Sequence, residues 1–265
     1  MNKKLFPMIL AGLLLLGEGG PAVAADREAD VRQAGVLKVC IWPDYYGITF
    51  RNPKSGQLTG LDISLSQAFA ADLGVKVEYV DVTFPTFIDA LLERRCDVAM
   101  FGIGALPSRA EKVRFSLPYL RSDLVAVTLR NHPSVKRWAD IDQPGRVVSV
   151  LKGTFMEPVM RAQLKHAELQ VVAPPETRER EVRSGRADVF MSDYPYTRRV
   201  LDNEDWAHLV FPDQPVFPLD YAYAVAPGDD AWLARVNRFV SQIKQDGRLA
   251  AAAEAVKLTP IVVKD

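Results

Sequence analysis

Cysteine is nearly missing from this chain: Cys40 and Cys96 are the only two among 265 residues. Histidine is almost as scarce, with three scattered copies at positions 132, 166 and 208. So few soft ligands, with no paired spacing, exclude a zinc site, and no cofactor or metal is expected. Net charge is missing as well, because 33 Lys and Arg balance 33 Asp and Glu. A chain without a basic excess is a poor partner for nucleic acid, which is bound by neutralising phosphates. Beyond the amino-terminal region no apolar stretch is long enough to cross a bilayer. Gly102 and Gly104 look like the start of a dinucleotide fingerprint, but its third glycine is absent.

What is present is a large reserve of apolar residues, 48% of the chain, enough for one large core or two small ones. The amino terminus reads as an export signal. Lys3 and Lys4 supply the positive region, Phe6 to Leu16 the apolar run, and Ala22-Val23-Ala24-Ala25 the small residues of a cleavage site. Residues 1–25 are therefore expected to be removed, leaving an exported protein in the periplasm. Export permits a disulfide. However, Cys40 falls late in one predicted strand and Cys96 at the start of another. If those strands run parallel as neighbours, the sulfurs lie at opposite ends, so the thiols are expected to be free.

Strands and helices alternate along the chain. Val36 to Trp42, Val75 to Val82 and Cys96 to Phe101 read as strands, separated by helices ending near Leu73 and Arg94. Strand–helix–strand order implies a parallel sheet with right-handed crossovers. After an extended crossing from Leu117 to Leu129 the pattern repeats, with strands at Arg146 to Leu151, Leu169 to Val172 and Ala187 to Met191. A second crossing, Leu219 to Val225, leads to two carboxyl-terminal helices. The fold class is α/β with two lobes, each a mostly parallel sheet flanked by helices. Residues 26–122 and 223–265 form the first lobe and residues 123–222 the second.

In parallel sheets, ligands bind beyond the carboxyl ends of the strands. The stretch Gly102 to Tyr119, GIGALPSRAEKVRFSLPY, starts at such an end. Two glycines let the backbone approach a ligand, Ser108 is a possible helix cap, and Arg109 follows at once. Its planar fork matches a carboxylate. The loop after the first strand carries Trp42, Tyr45 and Tyr46 and faces the same crevice. In the second half, Gly153-Thr154 sits where a strand becomes a helix, so free N–H groups point at the crevice. Thr154 and Glu157 together fit a capping box, which makes Glu157 structural. Asp193 can cap the helix that starts near Tyr194.

The ordered pieces VLKVCIWPDYY, TGLDISLSQAFAADLG, RCDVAMFGIGALPSRAEKVRFSLPY, KGTFMEP, RADVFMSDYPY and VSQIKQDGRL resemble the bacterial extracellular solute-binding proteins of the polar-amino-acid type, family 3. The resemblance covers almost all of the chain after the signal. It implies a two-lobed type II binding-protein fold, an amino acid or small carboxylate as ligand, and a permease of an ABC importer as partner, with the protein itself a monomer. It also implies a ligand carboxylate at Arg109, backbone contacts at Gly102 and Gly104, and a second-lobe contact from Thr154. A ligand ammonium would meet Asp193, and aromatic contacts would come from Tyr45, with Trp42 altering the pocket. Gly104 stands where a Ser or Thr is frequent, which weakens any assignment of a standard α-amino acid. The segments SLPYLR and IDQPG also resemble periplasmic cyclohexadienyl dehydratases of the same fold. A third alternative is a ligand-free accessory protein of a periplasmic oxidation system. With Glu157 structural, the chain is expected to be no enzyme.

Overall fold

The computed structural model describes residues 26–264, and the expected signal segment, residues 1–25, lies outside the described residues. Two sheets carry the architecture. The first has the order Lys76–Asp81, Val36–Ile41, Val98–Gly104, Leu219–Val225, Arg114–Phe115, with Leu120–Ser122 also pairing to Leu219–Val225. The second has the order Glu168–Val172, Val147–Leu151, Val189–Asp193, Leu124–Leu129, Ala207–Val210. In each sheet the first three strands are parallel and the next joins antiparallel. The repeated order places matching strand ends of the two sheets around one cleft.

Local sequence explains the elements that build this cleft. The strand Val98–Gly104 is buried along its whole length, as expected of a strand covered on both faces. It runs three residues further than Phe101, because Ile103 and Gly104 pair with Ala222 and Tyr221 of the returning strand. The helix Leu61–Leu73 begins at Gly60, whose φ of 130° and 2.3 Å approach of a would-be Cβ to the Ile48 carbonyl oxygen admit only glycine. That tight entry turns Asp62 inward. The carboxyl-terminal helix Asp230–Gln245 lays Trp232 and Phe239 on Phe69 of this helix, at ring separations of 5.6 and 4.6 Å. Two features lack a sequence expectation: the amino-terminal helix Arg27–Ala34 and a small sheet of Asp44–Tyr45, Thr49–Arg51 and Leu58–Thr59.

The predicted crossing from Leu117 to Leu129 is divided at Asp123. Leu120–Ser122 belongs to the first sheet and Leu124–Leu129 to the second. The Asp123 carboxylate accepts from the backbone N–H groups of Leu124, Val216 and Phe217, at 2.7, 2.9 and 2.7 Å. One side chain therefore ties the outgoing crossing to the returning one.

Three local expectations are corrected. Cys40 and Cys96 form a disulfide, with Cα atoms 5.6 Å apart, inside the bridging range. The strand starts at Val98, so Cys96 lies in the preceding turn, outside the ladder that sets Cys40 opposite Ala99. A turn residue need not follow the strand direction, and this one curls back over Cys40. Ser108 caps nothing: Leu106 is the cap residue of the short helix Pro107–Ala110. Thr154 and Glu157 form no capping box, because the helix Met156–Gln163 starts later, with Phe155 at its cap position.

Candidate functional site

The cleft between the sheets is built from strand ends. Arg109 follows the third strand of the first sheet, and Asp193 ends the matching strand of the second. Tyr45 and Thr154 each follow the second strand in the order of their sheet, Val36–Ile41 and Val147–Leu151. A small inner cavity, with about 20 Å3 of free space, is lined by Trp42, Tyr45, Gly102, Gly104, Thr154 and Asp193, among others. That is room for about one water molecule. An outer cavity of about 360 Å3 adjoins it, sharing Trp42, Phe84, Arg178 and Tyr196.

Arg109 is 7% exposed and makes no ion pair among the described residues. Its guanidinium donates to the Gly104 carbonyl at 2.9 Å and, across the cleft, to the Gly153 carbonyl at 2.8 Å. It also lies over the rings of Phe84 and Phe87, 5.5 and 5.7 Å from their centroids. Burial without an acidic partner pushes its pKa down to about 10, so the group remains charged at neutral pH. Gly104 holds a place that a side chain would contest: a Cβ there would come within 2.4 Å of Leu219 Cδ2 and 3.6 Å of Arg109 Nη1.

Asp193 is buried on the opposite side. It caps the helix Tyr194–Asn203, accepting from the Tyr196 N–H at 3.2 Å. Its other carboxylate oxygen accepts from the hydroxyls of Tyr45 and Tyr221, the latter at 2.5 Å. Both phenols belong to the first sheet's side, so the capping aspartate also joins the two halves. Burial first, and then the Asp193 charge, raise both phenol pKa values well above 10, which keeps them protonated donors. Trp42, Tyr45 and Phe84 pack as an aromatic wall, with centroids 5.2 to 6.1 Å apart.

Two carried-over contacts take a different form here. The Gly102 N–H is not free: it donates to Asp62 Oδ2 at 2.9 Å and to the Tyr119 hydroxyl at 3.1 Å. Thr154 lines the inner cavity, but its hydroxyl donates to the Leu151 carbonyl at 2.7 Å. Glu157 is structural, although by another route than a capping box. Its carboxylate accepts from the Gly153 N–H at 3.0 Å and from Arg161 at 3.2 Å. Sequence reasoning missed Phe84, Arg178, Ser192, Tyr196 and Tyr221, all of which line the inner cavity. The tyrosine alternation in Leu219–Val225 was a usable signal for Tyr221. Arg178 and Ser192 sit in ordinary helix and strand contexts and gave none.

A two-lobed α/β molecule with a buried, unpaired arginine in its cleft has the form of a type II periplasmic binding protein. Residues 37–255 match the bacterial extracellular solute-binding proteins, family 3, and the chain belongs to that family. It is 30% identical over 246 residues to a cyclohexadienyl dehydratase of Pseudomonas aeruginosa, covering 92% of this chain and 91% of that one. It is 25% identical over 228 residues to the L-cystine-binding protein TcyJ of Escherichia coli, covering 84% and 83% of the two chains. Among solved structures it is similar to the ancestral amino acid-binding protein AncCDT-1, a precursor of cyclohexadienyl dehydratase. There the TM-score is 0.79 at 30% identity, covering 87% of this chain and 99% of the other. The dehydratase relative overturns the expectation that the chain is no enzyme. Reading Glu157 as structural removed one candidate acid and left the rest of the cleft's proton-bearing groups out of account.

Proposed function

We propose that this chain is an exported receptor that captures an amino acid or related small carboxylate between its lobes and presents it to the permease of an ABC importer. The lobes follow the two sheets, residues 26–122 with 219–265 and residues 123–218, because the expected boundary at 222/223 falls inside the strand Leu219–Val225, which pairs wholly in the first sheet. Arg109 carries the reading, as a buried cation without an acidic partner whose donors span the cleft. A buried charge demands compensation, and a ligand carboxylate supplies it. Asp193 receives the ligand's ammonium in exchange for its phenol partners, Gly102 and Gly104 give a bare wall, Thr154 contributes from the second lobe, and Trp42 and Tyr45 cover the ligand. With room for about one water in the closed arrangement, loading requires the lobes to part. Closure around the ligand is then a hinge motion of the kind general to periplasmic binding proteins.

The 30% identical dehydratase favours a second reading, an enzyme that eliminates water from a cyclic carboxylate. Such a step needs an acid that protonates the leaving hydroxyl. The groups around the inner cavity that hold or receive protons are Asp193, Tyr45, Tyr196 and Tyr221.

One set of measurements separates the readings, on protein recovered from the periplasm with its amino terminus checked near Ala25 or Asp26 by mass spectrometry. Calorimetry against amino acids and small carboxylates is expected to give saturable binding. The Arg109→Ala variant should lose roughly 30-fold or more, the 2–5 kcal/mol typical of stranding a buried charge. Asp193→Ala should weaken only ligands that carry an amine. Incubation with prephenate and arogenate tests the second reading, since phenylpyruvate or phenylalanine whose formation stops in Asp193→Asn makes the chain a dehydratase. Folded Arg109→Ala that binds every carboxylate within a few-fold of the native protein would sink the receptor site as drawn.

A further inference from the structure

Arg109 is not the only buried cation in the cleft. Among the described residues three arginines are less than a tenth exposed: Arg109 at 7%, Arg178 at 4% and Arg235 at 8%. Arg235 has an acidic neighbour in Glu28, 3.6 Å away. Arg178, like Arg109, makes no ion pair among the described residues. Its acidic neighbour in sequence, Glu179, accepts from the Tyr196 hydroxyl at 2.5 Å and is close enough for the Arg178 charge to help hold its pKa low against burial, but it does not bond the guanidinium. A buried guanidinium with no carboxylate bonded to it is costly, and two of them lie around one cleft.

Arg178 is held rigidly. It lies between the rings of Phe190 and Tyr196, 5.2 and 4.8 Å from their centroids, and one nitrogen donates to the Met191 carbonyl at 2.7 Å. Cation–π contact and a carbonyl fix the plane of the guanidinium without neutralising it. The group borders both the inner and the outer cavity. Directly after Met191 comes Ser192, fully buried, whose hydroxyl has no hydrogen-bond partner among the described residues and which lines the same inner cavity. Buried hydroxyls are almost always satisfied. An orphaned hydroxyl and an oriented guanidinium with no carboxylate bonded to it, both lining one cavity, have a natural complement in an oxyanion that accepts from both.

We propose that Arg178 and Ser192 form a second carboxylate subsite, on the second-sheet side of the cleft, so that the ligand carries two carboxylates, one at Arg109 and the other at Arg178 and Ser192. This rests on the receptor reading of Arg109 and narrows it. Three charged groups would meet the ligand in this reading: Arg178 and Asp193, which line the inner cavity, and Arg109, which sits behind Gly104 and donates to its carbonyl. An acidic amino acid, with two carboxylates and one ammonium, matches all three groups. A dicarboxylate without an amine matches the two arginines and leaves Asp193 with its phenols. A neutral or cationic amino acid leaves Arg178 buried and unpaired.

Calorimetry with matched probes tests this: glutamate against glutamine, aspartate against asparagine, and succinate as the amine-free dicarboxylate. The native protein should bind at least one dicarboxylate about tenfold or more tighter than its amide counterpart, because only the former gains the charge-assisted contact. Arg178→Gln should erase that preference while leaving binding of the amide within a few-fold. Ser192→Ala, a change small enough to fold, should weaken dicarboxylates several-fold and spare amides. If the native protein prefers glutamine and asparagine, or if folded Arg178→Gln keeps the native preference, the second subsite is wrong while the receptor reading stands. Absence of binding by every carboxylate, with Arg109→Ala indistinguishable from the native protein, would overturn both.

Discussion

Asp62 has no exposed surface, and three donors surround it: the Tyr119 hydroxyl at 2.6 Å, the Tyr223 hydroxyl at 3.1 Å and the Gly102 N–H at 2.9 Å. This one carboxyl fixes the backbone of the glycine that lines the inner cavity. Burial outweighs the three hydrogen bonds and lifts its pKa from 3.8 to about 7. The folded state therefore holds a proton that the unfolded state releases near pH 4. Its contribution to stability is fully present below that point and is lost as pH rises through about 7. At roughly 1.4 kcal/mol per pKa unit, the loss approaches about 4 kcal/mol. Asp62→Asn cannot ionise, so its melting temperature relative to the native protein should climb steadily between pH 4 and pH 8. Parallel pH profiles for the two proteins would show that Asp62 does not titrate in this range. Legibility differed at this scale. Arg109 could be found because it follows a strand end in a turn-rich segment, whereas Asp193 read by itself as a helix cap and gained a ligand role only through the family resemblance. Asp62 reads as an ordinary first-turn helix acid, and only the tyrosines that reach it from distant strands reveal its burial.

Among the elements, the strand Val98–Gly104 shows how a small error in a boundary reverses a conclusion. Starting it at Cys96 sets that residue at the wrong end of a ladder; starting it at Val98 frees the turn to reach Cys40. The bond closes a loop of 56 residues in sequence separation. By chain entropy a loop of that size is worth about 4 kcal/mol, with engineered cases often smaller. Thiol labelling of the denatured, unreduced protein should modify neither cysteine. Reductant, or the double variant Cys40→Ser with Cys96→Ser, should lower the midpoint of urea unfolding by an amount equivalent to roughly 2–4 kcal/mol. Labelling of both thiols without reductant would contradict the bridge. The helix beginning at Met156 carries the same lesson. Thr-x-x-Glu spacing predicted a cap at Thr154, but Gly153, at φ 77°, starts a turn that sends the hydroxyl back to Leu151.

At the scale of the whole molecule, the two halves meet through a few contacts. They include Arg109 to the Gly153 carbonyl, Asp193 to two phenols, the Lys257–Asp202 ion pair at 3.4 Å, and the approach of Gly153 to Pro85. A Cβ at position 153 would stand 2.7 Å from Pro85 Cγ and 2.8 Å from Cδ, and a proline ring has little freedom to retreat. Gly153→Ala should therefore hold the lobes apart, with added strain from its positive φ. Small-angle scattering with saturating ligand should then show a radius of gyration above that of the native complex, and affinity should fall about tenfold or more. An unchanged radius and affinity would mean that the cleft closes in another way. Asp123, bonded to both crossings, is the natural pivot, because it keeps the two chains in register whichever way the lobes turn.

The sequence by itself determined the alternation of strands and helices, the repeat of that pattern, and the strand-end segments where a ligand could be met. These rest on local propensity, hydrophobic period and turn chemistry, all carried by neighbours in the chain. Only the tertiary structure decided that Cys40 meets Cys96, that the Gly102 N–H belongs to Asp62, and that Arg178 and Ser192 share a cavity with Asp193. Each of those facts depends on the register of non-adjacent strands and on which side chains burial leaves without a partner. Local patterns do not encode that information, because it arises only when the two sheets are assembled.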